Sequence, residues 1–108
     1  MSLFDLFGKK ETIDSGVKKC RETEGALLID VREIEEYQAG HIPGSLNMPL
    51  GLVTMMAADY AQDKNTPLFV YCRSGARSGK AEEALKEAGY ANVTNIGGIT
   101  EYRGEIER

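Results

Sequence analysis

The chain reads as an α/β domain, a parallel sheet flanked by helices, on three observations. Short apolar runs alternate with stretches of helical periodicity from residue 12 onward, which is the pattern of repeated strand–helix units. The best of these runs, Ala26-Leu27-Leu28-Ile29 and Leu68-Phe69-Val70-Tyr71, are continuous rather than alternating, as strands covered on both faces are. Gly and Pro punctuate the joints between them. With 108 residues, 42% of them hydrophobic, the chain is expected to build one core, and no apolar run reaches the ~18 residues of a membrane span. Residues 1–11 are expected to be an N-terminal tail and 12–108 the single domain.

Each element has a local reason. Thr12-Ile13 suits a minimal edge strand, after which Asp14 or Ser15 caps a helix running to about Glu22, with Ile13, Val17 and Cys20 on one face. Ala26 to Ile29 is the next strand, and Asp30-Val31-Arg32 leads from it into a charged helix, Glu33 to Ala39. Gly40-His41-Ile42-Pro43-Gly44 is a turn, with His41 as one of its hydrogen-bonding residues, followed by a short strand from Ser45 to Met48. A helix rich in Leu, Met and Ala spans Leu50 to Tyr60, and 62–66 is a loop. Pro67 to Tyr71 is the central strand, Ser78 to Ala88 a helix stopped by Gly89, and Val93 to Ile96 the last strand. Gly97-Gly98 opens a terminal turn or short helix.

Composition narrows the function classes. A net charge of −4 and a pI near 5.0 argue against a nucleic-acid partner, since such proteins need a basic surface to displace counterions. The first ten residues place Leu3, Phe4, Leu6 and Phe7 before Lys9 and Lys10, the reverse of an export signal. Two cysteines and one histidine, with no C-x-x-C pair, do not make a zinc site, so neither metal nor cofactor is expected. A reducing cytoplasm is the expected compartment.

The chemistry concentrates in Tyr71-Cys72-Arg73-Ser74-Gly75-Ala76-Arg77-Ser78. A strand running into this small-residue turn and then into a helix puts the Cys72 sulfur inside a ring of backbone N–H groups at a helix N-terminus. Such a ring, together with two arginines, favours thiolate over a thiol whose free pKa is about 8.5. In open parallel sheets ligands bind beyond the carboxyl ends of the strands. Cys72, Asp30-Val31-Arg32 and Gly97-Gly98 all follow strand ends, so they are expected to border one mouth. Cys20, on an apolar helix face, reads instead as a small buried hydrophobe.

Four motifs in order carry a resemblance. Asp30-Val31-Arg32, then Glu36-Tyr37 with Gly40-His41-Ile42-Pro43-Gly44-Ser45-x-Asn47, then Cys72-Arg73-Ser74-Gly75-x-Arg77-Ser78, then Gly89-Tyr90 with Gly97-Gly98 together resemble a single-domain rhodanese over residues 12 to 104. The resemblance implies a five-stranded parallel sheet with helices on both faces and a catalytic cysteine, Cys72, that carries a persulfide between half-reactions. It makes Arg73, Ser74, Gly75, Ala76, Arg77 and Ser78 the loop that cradles sulfur and donor. Tyr102 stands where the family usually has tryptophan.

A preformed thiolate attacks the outer sulfur of a small anionic donor such as thiosulfate, sulfite leaves, and a thiol, a protein thiol or cyanide removes the sulfur from Cys72. Arg73 and Arg77 match an oxyanion, and Gly75 lets the backbone approach the sulfur. Asp30 and Arg32 read more simply as an ion pair holding their loop, with Arg32 facing the substrate as the alternative. Glu33, Glu35 and Glu36 read as a solvated helix face. Two rival readings remain: a non-catalytic rhodanese-like binding or regulatory module, and a cysteine-dependent phosphatase or arsenate reductase. The latter enzymes hold five residues between cysteine and arginine, whereas this chain has four, Arg73 to Ala76. A P-loop is excluded because only three residues separate Gly75 from Gly79 and Ala81 follows Lys80.

Overall fold

The computed structural model describes residues 12–108, so the expected tail, 1–11, lies outside the described residues. The elements run α1 (Ile13–Glu22), β1 (Leu27–Asp30), α2 (Ile34–Ala39), β2 (Leu46–Asn47), a 3-10 turn (Leu50–Leu52), α3 (Val53–Tyr60), β3 (Leu68–Cys72), α4 (Ala76–Glu87), β4 (Val93–Gly98) and a second 3-10 turn (Ile99–Glu101). All pairings are parallel and the order is β2-β1-β3-β4. Among the described residues the sheet therefore has four strands, not five. The edge strand expected at Thr12-Ile13 is a helix start instead. Thr12 is the N-cap of α1, its hydroxyl accepting the Ser15 N–H at 3.1 Å while Ser15 Oγ accepts the Thr12 N–H at 3.1 Å, and that reciprocal cap outcompetes strand pairing.

The pleat of the strands divides the core in two. Ile29, Val31, Leu68, Val70 and Cys72 turn to one face, where Val53 and Ala57 of α3 and Ala81 and Leu85 of α4 cover them. Leu28, Phe69 and Tyr71 turn to the other, under Ile13, Val17 and Cys20 of α1. Helices thus flank both faces, as the continuous apolar runs require. Tyr102 packs at the margin of the α1 side.

Two boundaries differ from the sequence reading in ways that matter. Helix α4 begins at Ala76, two residues before Ser78, because Gly75 takes φ +102° and turns the chain directly into the helix. Arg77 is thereby a first-turn helical residue. Leu50 to Tyr60 is not one helix: Leu50–Leu52 form a 3-10 turn tied to the end of β1 by a Leu50 N–H bond to the Val31 carbonyl at 3.0 Å. The C-terminus also returns to the body, with His41 and Glu107 exchanging two backbone hydrogen bonds of 2.8 Å. No helix among the described residues is long and apolar enough to cross a membrane.

Candidate active site

Cys72 is the last residue of β3 and is fully buried. The chain after it makes its tight turn in three residues, and the Gly75 N–H returns to Sγ at 2.9 Å. Ser78, in the first turns of α4 and fully buried, brings its Oγ to 3.4 Å from Sγ. Burial pushes the Cys72 thiol up, but the Ser78 hydroxyl and the N–H groups of Ser78, Gly75 and Ser74 outweigh it, so the pKa falls below the ordinary value. Hydrogen bonding, more than arginine charge, leads the effect.

The arginines divide their work. Arg77 Nη1 and Nη2 bond the Glu36 carboxylate at 2.7 and 2.9 Å, a two-pronged pair that joins α4 to α2. Glu36 is therefore not part of a solvated face with Glu33 and Glu35. The Arg77 guanidinium holds the Glu36 carboxyl down at about 2. Arg73 projects into solvent at the loop's outer edge together with Ser74 and Ala76.

Arg32 lies with Asp30. Its Nε and Nη2 bond the Asp30 carboxylate at 3.1 and 2.8 Å, and Nη2 also bonds the Gly40 carbonyl at 2.7 Å. Asp30 is fully buried and Arg32 nearly so, so the pair fastens the loop after β1 to the turn before β2, with Nε and Nη2 of Arg32 both turned inward. Asn47 adds to the same knot through bonds from Nδ2 to the Asp30 and Arg32 carbonyls at 3.1 and 2.9 Å. His41 stacks on Tyr37, centroids 3.7 Å apart, and its ring nitrogens face the Tyr37 carbonyl and the Glu107 carboxylate.

The glycine pair at the end of β4 borders the sulfur loop closely. A Cβ on Gly98 would strike the Arg73 carbonyl and come within 2.5 Å of Ser74 Cα, so only glycine fits there. A cleft of about 800 Å³ runs beside the loop, lined by Ser74, Asn95, Gly97, Gly98, Glu101 and Arg103 among others. Two roles at the site escape sequence reasoning: Glu36 stands in the Glu36-Tyr37 motif with nothing to mark Arg77 as its partner, and Asn95, whose amide touches Ser78, Gly75 and Gly97, is legible only as a polar residue inside an apolar strand. No cluster of three or more His, Cys, Asp or Glu side chains that could hold a metal ion occurs among the described residues.

The rhodanese-like domain model matches residues 15–105. The chain is 46% identical over 71 residues to the Escherichia coli thiosulfate sulfurtransferase PspE, a match covering 66% of this chain and 68% of that protein. It is 37% identical over 83 residues to a sulfurtransferase of Allochromatium vinosum, covering 76% of each. A Bacillus subtilis relative is longer, and the chain spans 51% of it. A solved rhodanese with anions from E. coli superposes with a TM-score of 0.72 at 40% identity, over 77% of this chain and 98% of that one. A parallel sheet with helices on both faces, a buried cysteine at a strand end and these matches have one meaning: the chain belongs to the rhodanese-like domain family, among whose members are sulfurtransferases.

Proposed function

We propose that the chain is a sulfurtransferase that moves a sulfane sulfur from thiosulfate or a related anionic donor to a thiol or cyanide through a persulfide on Cys72. The observation that carries this reading is the donor set on Sγ: a buried sulfur with the Gly75 N–H at 2.9 Å and the Ser78 hydroxyl at 3.4 Å. The Cys72 thiolate attacks the outer sulfur of the donor, the donor's S–S bond breaks, and sulfite departs with its electron pair. An acceptor thiolate then attacks the outer persulfide sulfur and returns Cys72 as thiolate. The negative charge stays on sulfur throughout, where fixed N–H donors stabilise it without reorganising. No general base is required, because attack proceeds from the thiolate that the donor set on Sγ favours.

Arg73, exposed at the mouth, meets the donor's oxyanion, while Arg77, committed to Glu36, braces the loop. Four residues between Cys72 and Arg77 make a ring fitted to a sulfur atom on the cysteine rather than to a phosphate in front of it, which disfavours the phosphatase reading. Retention of the cysteine and its donors disfavours a purely binding module. Residues 12–108 form the catalytic domain, working in a reducing compartment such as the cytoplasm.

Intact mass after incubation with thiosulfate tests this. The protein should gain one sulfur atom, lose it to excess thiol, and gain none as Cys72→Ser. A protein that takes up no sulfur from thiosulfate, a polysulfide or a glutathione persulfide would overturn the reading.

A further inference from the structure

Ser78 Oγ stands within hydrogen-bond distance of Asn95 Oδ1 at 2.7 Å, the Gly75 carbonyl at 3.1 Å, Cys72 Sγ at 3.4 Å and the Gly97 carbonyl at 3.5 Å. A serine hydroxyl has one hydrogen to give. The best-placed claimant is Asn95 Oδ1, and the claimant that matters for chemistry is the sulfur.

The Asn95 amide cannot reverse. It sits where β4 shifts register against β3, Val70 pairing with Asn95 but Tyr71 with Gly97. Within that bulge Oδ1 accepts the Gly97 N–H at 3.0 Å, while Nδ2 donates to the Gly75 carbonyl at 3.2 Å. Turning the amide over would set NH₂ against N–H at one end and oxygen against oxygen at the other. An acceptor is therefore fixed in front of Ser78 by two hydrogen bonds, one within β4 and one to the loop before α4.

We propose that Asn95 is a positioning residue that sets the charge state of Cys72 through Ser78, by competing with the sulfur for the one Ser78 hydrogen. While Cys72 is a thiol, the Ser78 hydroxyl donates to Asn95 Oδ1 and leaves its lone pairs toward Sγ. When the thiol loses its proton to solvent, the Ser78 hydroxyl rotates and donates to Sγ, and Asn95 Oδ1 keeps the Gly97 N–H. No proton passes between the residues. The Gly75 N–H favours the thiolate, Asn95 favours the thiol, and Ser78 is the rotor between them. The inference rests on the sulfur-transfer reading only in taking the thiolate as the working form.

Two variants at one position should act in opposite directions. Asn95→Asp keeps the acceptor toward Ser78, makes it stronger and adds negative charge, while its second oxygen replaces the donor to the Gly75 carbonyl, so the thiolate is disfavoured. Asn95→Ala removes the best-placed claimant and leaves the Ser78 hydrogen between the Gly75 carbonyl at 3.1 Å, which already accepts the Gly79 N–H at 3.0 Å, and the charged sulfur at 3.4 Å, which draws it more strongly once Cys72 is a thiolate. Alkylation of Cys72 by iodoacetamide across pH, read by peptide mass, measures thiolate without any sulfur donor. A failure of the sulfur-transfer reading therefore shows in the mass assay and not in this one. The midpoint should rise in Asn95→Asp, slowing alkylation at pH 7 about tenfold, and fall in Asn95→Ala, speeding it about threefold. In a Ser78→Ala background the Asn95→Ala shift should vanish. Shifts of the same sign, no shift, or an Asn95→Ala shift that survives in Ser78→Ala would overturn the proposal. If Asn95→Asp does not fold, the Asn95→Ala pair with and without Ser78→Ala decides.

Discussion

Cys20 and Cys72 are both buried, at 5% and 0% exposure, yet their surroundings push them in opposite directions. Cys20 lies on the inner face of α1 against Leu28, Phe69 and Ile42, and burial pushes its thiol up to about 11. Cys72 is buried as deeply, but N–H and O–H donors converge on its sulfur and bring it below the ordinary value. Burial alone makes a cysteine inert. What separates the two is whether the backbone around the sulfur has unspent donors, which a strand-to-helix turn provides and a helix interior does not.

The largest test of that contrast exchanges each sulfur for oxygen. Cys72→Ser should abolish thiosulfate turnover, since a serine hydroxyl stays protonated, while Cys20→Ser should leave turnover unchanged in the same assay. Next comes the approach of β4 to the loop. Gly98→Ala drives a methyl group into the Arg73 carbonyl and must displace the donors around Sγ, so turnover should fall about a hundredfold for a displacement near 1 Å, with Cys20 alkylation unaltered. Inserting one glycine between Gly75 and Ala76 enlarges the ring and should lower turnover at least about tenfold, with phosphate or arsenate competing better than before. An enlarged loop that transfers sulfur normally would remove the argument from ring size.

A smaller effect lies at the brace. Glu36→Gln weakens the two-pronged pair with Arg77 and should raise the donor KM several-fold. It should also change acid stability in a defined direction. The Glu36 carboxyl is held at about 2 against an ordinary 4.5, so its pairing stabilises the fold above 4.5 and that contribution is lost as pH falls toward 2. The variant should flatten that limb of a pH–denaturation curve, modestly, because the pair is partly solvated. Smallest is the stability cost of Cys20→Ser, about 1 kcal/mol for a hydroxyl among apolar neighbours, measurable by denaturant midpoint.

Much of this was legible in the sequence, for physical reasons that can be traced. Ala26 to Ile29 and Pro67 to Tyr71 announce buried strands because they are apolar on both faces, and the observed β1 and β3 differ from them by one residue at each end. Thr12-Ile13 resembles a strand because Thr and Ile favour strands, while the reciprocal cap with Ser15, a local helix signal, decides the structure there. At the site, Cys72 stood out by its place between a strand and a small-residue turn. The pairings of Glu36 and Asn95 did not, because their partners are distant in sequence: 41 residues separate Glu36 from Arg77 and 17 separate Asn95 from Ser78. Local pattern carries elements and loops, whereas a pairing across elements exists only once the chain has folded.

The most direct measurement of the central claim is the pH dependence of alkylation at both cysteines in one sample. Native protein treated with iodoacetamide, digested and weighed peptide by peptide, should show Cys72 modified with a midpoint below the free-thiol value of about 8.5. Cys20 should stay unmodified until the protein unfolds. Equal midpoints, or a Cys72 that reacts only above the ordinary thiol range, would contradict the claim that donors on Sγ, rather than burial, set its chemistry.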